Sequence, residues 1–87
     1  MTLNFPNGSR SYDERRNYIR FWGYDSAMEV PFFLEVNALF KLDPQTRELE
    51  AGYLEVFDTA LDQIHEVARK VYAQARRGAY LLAAADF

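Results

Sequence analysis

The chain has 87 residues, enough for one hydrophobic core and too few for a second. Its composition, 49% hydrophobic and 16% aromatic, is that of a folded chain, and the absence of cysteine excludes disulfides, cysteine-held metals and thiol nucleophiles. The net charge of −3 is uneven: the arginines before residue 21 and the cations from Arg69 onward flank a middle of ten acids against Lys41 and Arg47.

In chain order, Met1-Thr2-Leu3-Asn4-Phe5-Pro6 has neither a basic start nor an apolar core segment, so it is not expected to be a signal peptide. No apolar run approaches the ~18 residues of a membrane span, and the cytoplasm is the expected address. Asn7-Gly8-Ser9 matches a glycosylation sequon, which is idle without secretion, and reads as a turn. Arg10 to Asp13 predicts a short strand that turns through Glu14-Arg15-Arg16. A rival is present here, because Ser11-Tyr12-Asp13-Glu14 also fits a capping box that would begin a helix. That helix would run into Ile19-Arg20-Phe21-Trp22-Gly23-Tyr24, whose aromatic composition favours strand. Strand is preferred.

From Asn17 to Tyr24 the chain alternates, with Tyr18, Arg20, Trp22 and Tyr24 facing one way and Ile19, Phe21 and Gly23 the other. Glu29 to Glu35 repeats the pattern, with Val30, Phe32 and Leu34 on one side and Pro31 and Phe33 on the other. Asp25-Ser26 between them predicts a hairpin turn. Pro31 cannot donate to a ladder, which predicts an edge strand or a bulge. Val36 to Leu42 predicts a short helix, and Asp43-Pro44 an N-cap and first-turn pair.

The strongest periodicity runs from Leu49 to Arg77, where Tyr53, Phe57, Ala60, Ile64, Val67, Val71 and Ala75 recur at steps of three and four. Leu54, Leu61, Ala68 and Tyr72 widen that stripe, while Glu55, Asp58, Asp62, Glu66, Arg69, Ala73 and Arg76 fall opposite. Acids in the first half and bases in the last turns suit the helix dipole. Gly52 is a weak point near the start, and Gly78 predicts a left-handed stop. Ala79 to Ala85 predicts a last strand, with Tyr80, Leu82 and Ala84 on one face. The predicted fold is a single α+β domain over residues 1–87, a small antiparallel sheet in the order β-β-β-α-α-β on one long C-terminal amphipathic helix.

Leu3-Asn4-Phe5-Pro6, Ser11-Tyr12-Asp13, Ile19-Arg20-Phe21-Trp22-Gly23-Tyr24-Asp25, Arg76-Arg77-Gly78 and the closing Ala83-Ala84-Ala85-Asp86-Phe87 together resemble the short bacterial proteins grouped as the domain of unknown function 1488 family. The resemblance covers essentially the whole chain. It implies a bacterial, cytoplasmic, stand-alone α+β domain, and it implies no activity and no site residue.

Chemistry-bearing constellations are sparse. His65 is the single histidine, at the border of the apolar stripe beside Asp62, and two ligands three residues apart do not complete a metal site within one chain. A pair from each of two chains could, but a histidine at the rim of the core is the simpler reading. Ser9, Ser11, Ser26, Thr46 and Thr59 lack the context of a nucleophile elbow, and no glycine-rich phosphate loop is present. Asp58, Asp62 and Glu66 fall on a solvated helix face. No catalytic residue, metal or cofactor is therefore expected, and an enzyme would have to use His65.

The expected activity is association, with the chain as a homodimer and its basic ends meeting the acidic middle of a second copy. The candidate contact residues are Tyr18, Arg20, Trp22 and Tyr24 on the sheet, and Val71, Tyr72 and Ala75 on the helix. A helix of ~28 residues would be about 40 Å long and would overhang strands of ~23 Å, leaving that last stretch exposed unless the Leu3–Phe5 arm and Phe40 cover it. The alternative is a regulatory domain that touches nucleic acid through Arg15, Arg16, Arg20 and Trp22, with bases stacked on the aromatic row. The net negative charge counts against it. So does the possibility that the aromatic row is itself the core face.

Overall fold

The alternation of residues 18–35 becomes the centre of a five-stranded mixed sheet in a computed structural model that describes residues 3–6, 8–75 and 77–87. The elements are β1 (Leu3–Asn4), β2 (Arg10–Asp13), β3 (Tyr18–Asp25), β4 (Met28–Glu35), α1 (Val36–Leu42), α2 (Glu50–Thr59), α3 (Leu61–Gln74) and β5 (Tyr80–Leu82), followed by a 3₁₀ turn, Ala84–Asp86. The fold is α+β.

β3 and β4 pair antiparallel along all eight residues, with Phe21 opposite Phe32 and Trp22 opposite Pro31. β1 and β2 share the outer edge of β3, at Tyr24–Asp25 and Tyr18–Phe21 respectively. Ser11, Tyr12 and Asp13 are thus strand, the reading preferred over the capping box, and Glu14 lies in the turn. The Asp13 carboxylate instead accepts the Arg15 and Arg16 amides at 3.0 and 3.2 Å, which shapes the β2–β3 turn. Asn17 closes that turn at φ 58°, a conformation asparagine tolerates. Ser26 takes φ 57° as the first of two loop residues between Asp25 and Met28, as mirror-image hairpin turns require.

β5 lies on the other side of β4 and runs parallel to it, so the sheet is mixed where the sequence reading had it antiparallel. The physical reason is the connection: three helices carry the chain back across the sheet, which permits a parallel return. β4 is accordingly flanked on both sides and is not an edge strand. β5 pairs only with Phe32–Leu34, however, so Pro31 lies where that side of β4 is unpaired.

One face of the sheet is covered. Ile19, Phe21, Val30, Phe32, Leu34, Tyr80 and Leu82 form one buried cluster with residues from all three helices. Among these, Tyr80 is fully buried, stacks on Phe32, donates its hydroxyl to the Ala75 carbonyl at 2.7 Å and accepts the Arg77 amide at 2.9 Å. That pair of bonds ties the end of α3 to β5. Gly23 leaves the space that the Phe5 ring enters, since a Cβ there would lie 2.9 Å from Phe5 Cε1.

The long helix is divided at Ala60 (φ −99°, ψ 18°), although the Ala60 and Ile64 amides keep their i−4 bonds across the break. Thr59 turns its hydroxyl back to the Glu55 carbonyl at 2.9 Å, a bond that bends helices. Tyr53, Phe57 and Ile64 are buried as the periodicity predicts, but beyond the break the buried row is Ile64, Ala68 and Tyr72, with Val67 and Val71 at its flank. Two further corrections concern caps. Asp43 ends α1, and its carboxylate accepts the Gln45 amide at 2.9 Å, so it closes a turn instead of starting a helix. α3 stops at Ala75 in extended backbone, and Gly78 is not left-handed. Asn7 of the sequon turn and Arg76 of the helix end lie outside the described residues, as do Met1 and Thr2.

Candidate interaction surface

The strand that buries Ile19 and Phe21 must present its other residues on the opposite side. Tyr18, Arg20, Trp22 and Tyr24 are there, each part-exposed, on the sheet face away from the helices. The aromatic row is therefore not the core face. The register sets Pro31 and Phe33 of β4 beside Trp22 and Arg20, and Leu81 of β5, half exposed at 51%, beside Phe33. The Tyr18 and Phe33 rings lie 4.8 Å apart, and the Arg20 guanidinium sits 4.9 Å from the Trp22 ring centre.

Charge on this face is mixed. Arg20 approaches Glu29 at 3.6 Å, and Glu35 stands opposite Tyr18. Arg15 and Arg16 are exposed at the β2–β3 turn, with Arg16 donating to the Tyr18 hydroxyl at 3.3 Å. The four sheet residues singled out from the sequence thus come together, joined by Pro31, Phe33 and Leu81. Those three needed the strand register to be placed, although the alternation that assigned Pro31 and Phe33 to one side was the available signal.

The helix residues do not form a second surface. Tyr72 is buried, its ring against Tyr80 and its hydroxyl on the Asp25 carboxylate, and Val71 packs on the core. Ala75 is the half-buried cap of α3. That stretch is not left exposed, since Tyr72 is buried and Val71 packs against the core.

His65 is half buried on the covered side and stacks on Phe5, with ring centres 3.9 Å apart and planes 6° from parallel. Arg69 crosses the other part of that arm, 5.3 Å from the Phe5 ring centre, with its Nε donating to the Leu3 carbonyl at 3.4 Å. The imidazole thus pins the N-terminal arm to α3. Among the described residues no three His, Asp or Glu side chains are grouped to hold a metal. Burial, and behind it the Arg69 cation, holds the imidazole below its ordinary pKa of 6.5, against the pull of Asp62. The sign follows. Below about pH 6.5 the unfolded chain takes up the proton before the folded one, so this group's share of stability is present above 6.5 and falls as pH drops through the lowered folded pKa. Melting followed from about pH 7.5 to about pH 5 should show that loss, and His65→Gln should remove its histidine component.

Comparison with known families matches residues 3–82 to the family described as "Protein of unknown function (DUF1488)". The chain belongs to the DUF1488 family. Neither the comparison with curated proteins nor that with solved structures found a match. Within this DUF1488 chain no helix of the described residues is long and apolar enough to cross a membrane.

Proposed function

We infer that this protein is an association module, and that its open sheet face pairs with the same face of a second copy. The observation that carries the reading is the row Tyr18, Trp22, Tyr24, Pro31, Phe33 and Leu81, apolar or aromatic, on a face that none of the helices packs against. Two layers of secondary structure leave one side of a sheet bare, and a second sheet at about 10 Å is a common way to cover it. From strand spacing and rise, the face measures roughly 400 Å² in plan, within the size of exposed patches that carry function and suited to a small, reversible interface. Arg20 between Glu29 and Glu35, with Arg16 on the Tyr18 hydroxyl, gives a mixed charge pattern that a two-fold related copy complements.

The same acids weaken the nucleic-acid reading, since Arg20 already faces Glu29 and a phosphate track would have to pass both glutamates. Light scattering at rising protein concentration should show a dimer that tolerates salt, because apolar burial is not screened. Trp22→Glu, at a part-exposed position, should give a monomer with little change in melting. A chain that stays monomeric at all concentrations and salts, with Trp22 fluorescence quenched by mixed oligonucleotides, would refute self-association and establish the alternative.

A further inference from the structure

The β5 side of β4 holds a groove of about 420 Å³, whose apolar wall is made by Met28, Val30, Tyr72 and Tyr80, with Arg77 at its rim. That volume is within the range of ligand sites. Three observations define what fits it. First, among the described residues β5 pairs with β4 only at Phe32–Leu34, which leaves the first half of β4 without a strand partner on that side.

Second, register fixes which backbone groups point into the gap. A two-residue hairpin closes on a hydrogen-bonded pair, here Asp25–Met28, so alternation makes Tyr24–Glu29 a non-hydrogen-bonded pair. The Glu29 N–H and C=O therefore turn away from β3 and toward the groove, while its carboxylate approaches Arg20 on the open face.

Third, the phenols along the groove are committed. Tyr80 serves Ala75 and Arg77, and Tyr72 donates to Asp25, so both present ring surface. The Arg77 guanidinium makes no ion pair among the described residues. Met28 is 54% exposed, an apolar side chain standing in solvent beside the gap.

We propose that this groove is a strand-addition site for a short extended peptide, whose backbone pairs with Glu29, whose apolar side chain enters between Met28, Val30 and the two tyrosines, and whose carboxylate meets Arg77. An unpaired strand edge supplies main-chain affinity, the hollow selects a side chain, and the cation selects a charge. Pro31, which has no N–H, limits the addition to the stretch before it. The site is separate from the open face and does not rest on association through it.

The test is an amide-resolved magnetic resonance titration of the full chain with the doubly capped peptide acetyl-Val-Ile-Val-Asp-amide, its Lys-ended amide analogue, and octanoate. The expected result is a saturable shift centred on Glu29, with the Asp-ended peptide favoured by roughly fivefold, as one exposed charge pair allows. Arg77→Glu should reverse that preference without loss of fold, because the bond from residue 77 to Tyr80 is made by the backbone amide. No saturable shift with either peptide, a preference that Arg77→Glu leaves unchanged, or octanoate binding as tightly as the peptide would each overturn the proposal.

Discussion

Replacing Ile64 with aspartate is expected to unfold the domain at room temperature. Ile64 is fully buried one turn after the break at Ala60, and its own amide is bonded to the Ala60 carbonyl at 3.0 Å. The side chain therefore cannot swing out without unwinding the start of α3. Aspartate removes a buried aliphatic group worth about 1.5–3 kcal/mol and leaves a carboxylate without a partner in the core. Together these exceed the ~4–5 kcal/mol that marks exceptional damage, against a domain stability on the order of 5–15 kcal/mol. Circular dichroism in the aromatic region should collapse, and thermal scans should lose their cooperative transition. Val67→Asp, at a half-buried flank position, should cost less and still melt cooperatively. A Val67 variant damaged more than the Ile64 variant would mean that the inward row runs through Val67 and Val71.

Period-two alternation identified β3, β4 and their faces, because each strand buries one side against the helices and exposes the other. α1 was legible to the residue, and β2 nearly so against its helical rival. The long helix was legible as helix but not as two pieces. The stripe from Tyr53 to Ala75 assumes one unbroken helix, and the backbone leaves helical values at Ala60 (φ −99°, ψ 18°). Beyond it Ala68 and Tyr72, which the periodicity placed at the side of the stripe, are buried, while Val67 and Val71 pack at its flank. Thr59, whose hydroxyl bonds back to the Glu55 carbonyl at 2.9 Å, is a local contributor to the bend. The candidate surface was half legible. Tyr18, Arg20, Trp22 and Tyr24 are fixed by their own strand, whereas Phe33 and Leu81 join them only through pairing between distant segments.

Gly52→Ala should destabilise the protein, although helix propensity alone predicts a gain of about 1 kcal/mol at such a position. Gly52 is in the first turn of α2 and buried under the loop that precedes it. A Cβ there would lie 2.4 Å from the Arg47 carbonyl oxygen and 2.8 Å from the Arg47 Cβ, so backbone has to move. The loop is not free to retreat. The Arg47 carbonyl already accepts the Leu49 amide at 2.9 Å, and neighbouring Thr46 is buried with its hydroxyl on the Asp43 carbonyl at 2.6 Å. Overpacking of this kind costs about 1–3 kcal/mol, which outweighs the propensity gain and reverses its sign. Gly78→Ala is the matched control, since Gly78 is exposed, has no positive φ, and a Cβ there meets nothing within 4 Å. It should be neutral or stabilising by about 0.4–1 kcal/mol through the unfolded chain. Urea unfolding of the two variants beside the parent reads both signs at once. A stabilised Gly52→Ala would show that the 43–49 loop does not press on α2, and a strongly destabilised Gly78→Ala would restore the left-handed helix stop that the sequence suggested.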